Sequence, residues 1–273
     1  MNKNLNEIEF VIFDTETTGL FPDSGDRIVE IAGIRFKGDK KIATFESLVN
    51  PKRPISEAAF QVNRITQAML KDAPTVERVM PVFLDFIEDS YLCSYNAAFD
   101  LGFLNNELKL MGRPPLENIA IADILRMARR LLPGLERYAL WFVAETLGVK
   151  TKQAHRALSD VELTLETFYR LKDRLESKGI SDTENFSSLF GLNSRSLHNI
   201  NNQKIAEIQE AIDLQVKLKI KYLASSTAEV SEREVVPKEV RQDRNVTYLI
   251  GYCCLRNEER TFRIDGILHL EIV

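Results

Sequence analysis

Asp14 and Glu16 stand two residues apart at the end of a short apolar run, Phe10 to Phe13, in the segment Asp14-Thr-Glu-Thr-Thr-Gly-Leu20. Side chains two apart on an extended backbone point to the same side, so the two carboxylates share one face. Like charges held together at the end of a buried strand cost stability unless a positive group lies between them. Hard divalent cations such as magnesium prefer carboxylate oxygens, which makes a metal site the chemical reading of this segment. The competing reading is a strand that ends in an ordinary polar turn.

Two further segments place acids at helix starts. In Tyr95-Asn-Ala-Ala-Phe-Asp100, Asn96 and Asp100 are four apart and share a helix face at its first turn, although capping is the plainer explanation of both. In Ala154-His-Arg-Ala-Leu-Ser-Asp160, His155 precedes Asp160 by five residues at the entry to a long helix. There the alternative is a cap from Ser159 or Asp160 beside a solvated His155. Asp123 reads as a helix cap rather than a ligand. Together Asp14, Glu16, Asp100 and Asp160 are four carboxylates, each at an element end beside apolar sequence, accompanied by one histidine. Phosphodiester hydrolysis by two metal ions needs such a set, with one ion activating water and the other stabilising the leaving oxygen. Histidine is the natural proton acceptor near neutral pH.

The elements that must position these residues are legible in part. Phe10–Phe13, Ile28–Phe36 and Lys41–Val49 read as successive strands, with a turn at Phe36-Lys-Gly-Asp-Lys40, and Tyr91–Ser94 as a short buried strand. Helical patterns cover Val76–Glu88, Ala97–Met111, Ala122–Leu132, Ala139–Leu147 and about Ser159 to Glu176. Strands with helices packed on them make an α/β layered domain, set at residues 1–177. Ser, Asn, Gly and Asp accumulate over 178–204, which reads as a linker with a short helical piece around Phe186–Phe190. From 205 to 273 a helix, Ile205 to Gln215, precedes strand-like runs at Leu218–Leu223, Glu234–Val240, Val246–Cys254, Glu259–Ile264 and Ile267–Ile272. These suggest a compact barrel or sheet with one helix.

Bulk properties exclude little. In 273 residues, 44% hydrophobic and 28% charged content fit a globular protein of one or two domains. The net charge of −4 argues against tight, non-specific coating of DNA, but not against an enzyme holding phosphates through metal ions. The first residues lack a signal-peptide apolar core, and no run approaches a membrane span. Cys93, Cys253 and Cys254 have no metal-ligand spacing and read as core filler in a reduced cytoplasm.

The three acidic segments, in this order and form, resemble the three exonuclease motifs of the DEDDh 3′→5′ exonucleases, the proofreading epsilon subunits of bacterial DNA polymerase III among them. The resemblance covers roughly residues 8 to 175 and includes Asp26-Arg-Ile-Val-Glu-Ile and Asp123-Ile-Leu-Arg-Met-Ala-Arg129. It implies an RNase H-like fold, a mixed sheet flanked by helices. It also implies two Mg2+ or Mn2+ ions and release of nucleoside 5′-monophosphates from a 3′ end. By position, Asp14, Glu16 and Asp160 would hold the first ion, and Asp14 would reach the second with Asp100 helping through water. His155 would be the general base. Leu20 and Phe99 would pack on terminal bases, with the core as the competing place for each, and Thr17, Thr18 and Asn96 would line the groove. One departure stands out. Where the family has His-Gly-Ile-Thr, this chain has Asn63-Arg-Ile-Thr66, so the residue expected at the substrate base is Asn63. Arg64 reads as a solvated charge ahead of a phosphate contact.

The segments Lys221-Tyr-Leu223, Arg233-Glu-Val-Val-Pro237, Thr247-Tyr-Leu-Ile-Gly-Tyr252 and Arg260-Thr-Phe-Arg-Ile-Asp265 resemble the WYL domain, a small Sm-like β-barrel. Thr247 stands where the namesake triplet has tryptophan. The resemblance implies a nucleotide or single-stranded oligonucleotide ligand, for which Tyr248, Arg260 and Arg263 are candidates. The alternative is that Tyr248 is core and the arginines pair with Glu or Asp. Three apart on a strand, Arg260 and Arg263 face opposite sides. The expectation is therefore a metal-dependent exonuclease acting on single-stranded nucleic acid or 3′ ends, DNA ahead of RNA, with the barrel guiding or regulating substrate. Its rivals are an RNA 3′-trimming enzyme and a nucleic-acid or nucleotide sensor acting through the barrel. A polymerase partner is a further expectation, though no segment looks like an obvious polymerase-binding tail.

Overall fold

The apolar run that ends in Asp14 and Glu16 forms the middle of a mixed sheet. The computed structural model describes residues 3–116, 119–150, 156–192, 195–244 and 246–273, without the side chains of 195–199. Strands β1 (Glu9–Thr17), β2 (Ile28–Lys37) and β3 (Lys40–Leu48) are followed by helices α1 (Glu57–Asn63), α2 (Gln67–Lys71) and α3 (Val76–Ile87). Next come β4 (Tyr91–Ser94), α4 (Ala97–Leu110), β5 (Ile121–Asp123), α5 (Ile124–Leu131), α6 (Leu140–Thr146) and α7 (Ala157–Glu176). The sheet order is β3-β2-β1-β4-β5; β1 runs antiparallel to β2 and parallel to β4.

A strand covered on both faces is apolar at every position, which is why Phe10–Phe13 is an uninterrupted run. Alternation divides it between two cores. Phe10 and Ile12 pack with residues of α5 and α7, while Val11 and Phe13 pack with residues of α3 and α4.

Within 178–204, where a linker was expected, the chain forms α8 (Thr183–Phe190) and the first part of α9 (Arg195–Asp213). The α8 residues Phe186, Leu189 and Phe190 are buried in the same core as Phe10. The Phe186 ring lies 5.9 Å from that of Phe10 and 5.5 Å from that of Tyr91. Aromatic burial of this kind stabilises by roughly 2–3 kcal/mol per ring, so α8 is held down like any core helix.

The remaining strands are β6 (Leu218–Leu223), β7 (Val230–Asp243), β8 (Val246–Cys253), β9 (Glu258–Arg263) and β10 (Ile267–Ile272). They form an antiparallel sheet, β10-β6-β7-β8-β9, whose core is closed by Ile208 and Ala211 of α9. The closed barrel expected from the sequence is not what the ladders make: β9 and β10 are the two edges of an open sheet. The turn Ile264–Gly266 separates them, and β10 turns back to pair with β6 rather than with β9. A succession of strand patterns does not say whether the first and last strands meet.

That turn also joins the sheet to the first unit. Asp265 accepts from Arg126 at 3.0 Å, from Arg130 at 3.3 Å and from Arg263 at 2.7 Å. No helix among the described residues is long and apolar enough to cross a membrane. Cys93, Cys253 and Cys254 are free thiols, the first two buried.

Candidate active site

The same alternation that splits the core distributes the chemistry at the end of β1. Asp14 and Glu16 continue the face of Phe10 and Ile12, against which α7 packs; Asp160 sits in the first turn of α7. One carboxylate oxygen from each of Asp14, Glu16 and Asp160 lies within 4.8 Å of the others. Thr15 points to the opposite face, towards α4, and there it meets Asp100. The Thr15 amide and hydroxyl donate to Asp100 Oδ1 at 2.9 and 2.6 Å, and the Ser94 hydroxyl donates to Oδ2 at 2.5 Å.

The electrostatics follow from this crowding. Burial raises the Asp14 carboxyl well above its ordinary range, and the charges of Asp100, Glu16 and Asp160 push it further. Glu16 is raised to about 8, first by burial and then by Asp160 and Glu30. Asp100 rises only to about 6, because the Ser94 and Thr15 hydrogen bonds favour its charged form against burial. At about 4 Å each pair of ionised carboxylates repels by roughly 4 kcal/mol near a protein surface, so the site takes up either protons or a cation. Three hard oxygen donors in one half-buried cluster fit a divalent ion of the magnesium type. DEDDh-type exonucleases use divalent ions, and this cluster is of the kind that holds them.

Several supports were not visible to sequence reasoning. Glu30, fully buried on β2 opposite Glu16, binds the Arg156 guanidinium through Nε at 2.9 and 3.1 Å and through Nη2, and accepts from the Ala157 amide at 3.0 Å. It thereby anchors the chain directly after residue 155. His155 itself lies outside the described residues. The signal was in Asp26-Arg-Ile-Val-Glu-Ile: Asp26 accepts from the Thr18 hydroxyl and the Phe21 amide, Arg27 pairs with buried Glu107 at 2.6 Å, and Glu30 holds Arg156.

The other expected substrate residues divide. Leu20, 67% exposed, lines a cleft of about 550 Å3 with the carboxylates; Phe99 and Thr17 line it too. Phe99 also stacks at 5.0 Å on Phe103, so it belongs both to the core edge and to the cleft. Exposed Phe21 and Val62 extend this apolar wall and were not anticipated. Thr18 is buried and spent on the turn with Asp26. Asn96 is exposed at the start of α4 with a left-handed backbone (φ 69°); its side chain makes no cap, and its amide donates to Asp123 at 3.1 Å. Asp123 is indeed the cap of α5. Asn63 is buried; its amide donates to Thr17 O at 3.3 Å, its Oδ1 accepts from Ile65 N at 3.0 Å, and it lowers the Glu16 pKa. It supports the acid from below. Arg64 lies on the Phe60 ring and bonds Gln61.

Gly19 is required by close approach. A Cβ there would lie 2.3 Å from the Asp26 carboxylate, which holds the turn presenting Leu20.

In the C-terminal sheet Arg260 stands apart from the other two candidate ligand residues. Arg263 is bound to Asp265, exposed Arg260 pairs with Glu258 at 2.8 Å, and Tyr248 is a cross-strand neighbour of Arg263. Arg260 lines a separate hollow with Tyr222 and Arg233.

A family model described as an exonuclease, RNase_T, matches residues 11–168, and one described as a WYL domain matches residues 203–272. The DNA polymerase III PolC-type protein of Caldanaerobacter subterraneus is 38% identical over 183 residues, 67% of this chain and 13% of that protein. The DNA polymerase III subunit epsilon-like protein of Rhodobacter capsulatus is 38% identical over 181 residues, 65% of this chain and 25% of that protein. The chain thus spans no more than a quarter of the length of these two relatives. Among solved structures, exonuclease X in complex with 5′ overhanging duplex DNA is 31% identical, with a TM-score of 0.50 over 62% of this chain and 93% of that one.

Proposed function

We propose, from the premise that this chain belongs to the RNase_T exonuclease family, that it is a metal-dependent 3′→5′ exonuclease that trims single-stranded nucleic acid, DNA ahead of RNA, to nucleoside 5′-monophosphates. The observation that carries this reading is the meeting of Asp14, Glu16 and Asp160 within 4.8 Å, with Asp100 on the other side of the same strand end. Asp14, Glu16 and Asp160 would hold one Mg2+ or Mn2+ ion, and Asp14 with Asp100 a second. When bound, such ions activate water and stabilise the leaving oxygen.

The chain's own residues do the rest. Leu20, Phe21, Val62 and Phe99 offer apolar surface to the terminal bases, which suits an enzyme that accepts any sequence because every base has a stacking face. His155 takes the proton of the attacking water as its oxygen bonds to phosphorus and the bond from phosphorus to the 3′ oxygen breaks. Glu30, through Arg156, fixes the chain next to that histidine. We take α8 with the catalytic unit and α9 with the C-terminal unit, which guides or regulates the substrate. Its free thiols suit a reducing cytoplasm.

The test uses 5′-labelled DNA and RNA strands of one sequence with magnesium, manganese or chelator. The expected result is a ladder shortening from the 3′ end, faster on DNA, lost with chelator. A faster RNA ladder would replace DNA by RNA in this reading. Binding of both strands without shortening would instead favour a sensor acting through the C-terminal unit.

A further inference from the structure

The acidic cleft continues outwards on its Tyr95 side. Tyr95 lines the cleft beside the carboxylates and donates its hydroxyl to the Tyr138 carbonyl at 2.6 Å. Tyr138 donates its own hydroxyl to the Leu132 carbonyl at 2.7 Å and carries the Arg129 guanidinium 5.9 Å from its ring centre. One residue earlier, Arg137 is 52% exposed and lies 5.9 Å from the Trp141 ring centre and 5.6 Å from that of Phe142. The two rings stand edge to face at 5.6 Å. Three rings and two arginines thus form a ledge that begins at the cleft and ends on the first turn of α6.

Helix packing does not account for the two outer rings. α6 buries Val143 and Ala144 and rests Leu147 on the core, which completes an apolar face at helical spacing. Trp141, the chain's single tryptophan, and Phe142 are half-buried and belong to none of the core clusters of the described residues. The cations keep donors to spare. Arg129 is exposed, and Glu136 takes only one of the five N–H groups of Arg137. Asp123, the acid at the start of α5, is spent on its cap and on the Asn96 amide.

We propose, resting on the exonuclease reading of the acidic cleft, that this ledge receives the substrate strand on the 5′ side of the nucleotide being cleaved. Arg129 and Arg137 meet its phosphates, and Trp141, Phe142 and the guanidinium plane beside them lie under unpaired bases. Continuity decides the occupant: a strand whose 3′ end reaches Asp14 must leave over a lip of the cleft, and the lip at Tyr95 leads to cations in a chain of net charge −4. Rings interleaved with arginines hold a strand without reading its sequence, since every base has a stacking face and every nucleotide a phosphate. In a duplex those base faces are covered, so the ledge favours single strands.

Trp141 is the chain's only tryptophan, so its fluorescence reports on the ledge alone. The full chain is titrated in chelator with oligothymidylate of about twelve nucleotides, within the span of known single-strand grooves. Anisotropy of a 5′-labelled strand measures binding, and an unlabelled strand measures quenching. The strand is expected to quench Trp141, whereas a duplex of the same length leaves the emission unchanged. Binding should weaken about tenfold in Trp141→Ala. In Arg137→Gln it should weaken several-fold, with the slope of log affinity against log salt reduced by about 0.7. Arg137 is exposed, so its variant keeps the fold should Trp141→Ala loosen α6. Binding without quenching, wild-type affinity in both variants, or equal quenching by the duplex would overturn the proposal. A 3′ ladder from the same protein in magnesium would then leave the exonuclease reading standing.

Discussion

At the end of β1, three carboxylates crowd together in one cleft, whereas at the seam between the two units three arginines crowd around one carboxylate. The two places are electrostatic opposites built by different means. The acids are brought together by strand parity and one helix end, all within the first unit. Two of the arginines stand one turn apart on α5, and the third arrives with Asp265 only because two units meet. Both arrangements hold like charges at a cost, which a bound cation would offset in the first and Asp265 itself offsets in the second. Asp265 shows how far the seam goes towards neutrality. Burial alone would raise its carboxyl, yet the Arg263 hydrogen bonds and the Arg130, Arg263 and Arg126 charges hold it below its ordinary range.

The contrast breaks most completely at Asp14. Asp14→Ala is expected to reduce hydrolysis to background on a labelled strand while circular dichroism stays unchanged; residual activity above a tenth of wild type would remove the acidic cluster from the chemistry. His155→Ala is expected to lose about 10²- to 10⁴-fold, the range of a general base. At the seam, Asp265→Ala leaves buried Arg130 with no carboxylate, and a loss of about 3 kcal/mol is expected in denaturant unfolding. An unchanged midpoint would show that the arginines relax into solvent.

A pH series sharpens the acidic side. Glu16 titrates near 8 in the folded chain against an ordinary 4.5, so between those values the folded state keeps a proton that the unfolded chain has released. Its contribution is present below about 4.5 and is lost as pH rises towards 8. In chelator the melting temperature should therefore fall across that window, and less steeply in Glu16→Gln. Magnesium should restore more at the alkaline end, where it no longer competes with protons; a flat profile in both proteins would refute this. The smallest effect lies beside Asn63. Arg64 adopts φ 57° at the end of α1, a conformation that favours glycine, so Arg64→Gly should stabilise by about 0.5–1 kcal/mol with the ladder assay unaltered.

What the sequence disclosed follows the range of the forces involved. Tyr91–Ser94, Leu218–Leu223 and Ile267–Ile272 emerge with the bounds read from the chain, because short apolar runs between turn residues carry their own signal. The same local logic placed Asp14 and Glu16 on one side. β5 overlaps the start of an expected helix beginning at Ala122, since three residues become a strand only by pairing with β4. α1 and α2, of seven and five residues, are too short to show a period. α8 sits in polar sequence, and only its rings against Phe10 and Tyr91 explain why it is ordered. The Thr15 partner of Asp100 on β1 and the Arg156 partner of Glu30 before α7 lie 85 and 126 residues away. Arg263 and Asp265 were read as a distinctive motif, but nothing local says that α5 supplies two more arginines.

The alternation along β1 has a consequence for how this gene can change length. Removing or adding one residue between Phe10 and Asp14 would exchange the two faces beyond the change, sending Thr15 towards α7 and both acids towards α4. Such a chain could keep the strand and still be catalytically blank. Changes of two residues would keep the faces and shift only the depth of the acids along the strand. Insertions and deletions in this strand are therefore filtered by whether they are odd or even, a constraint that no single substitution scan would reveal.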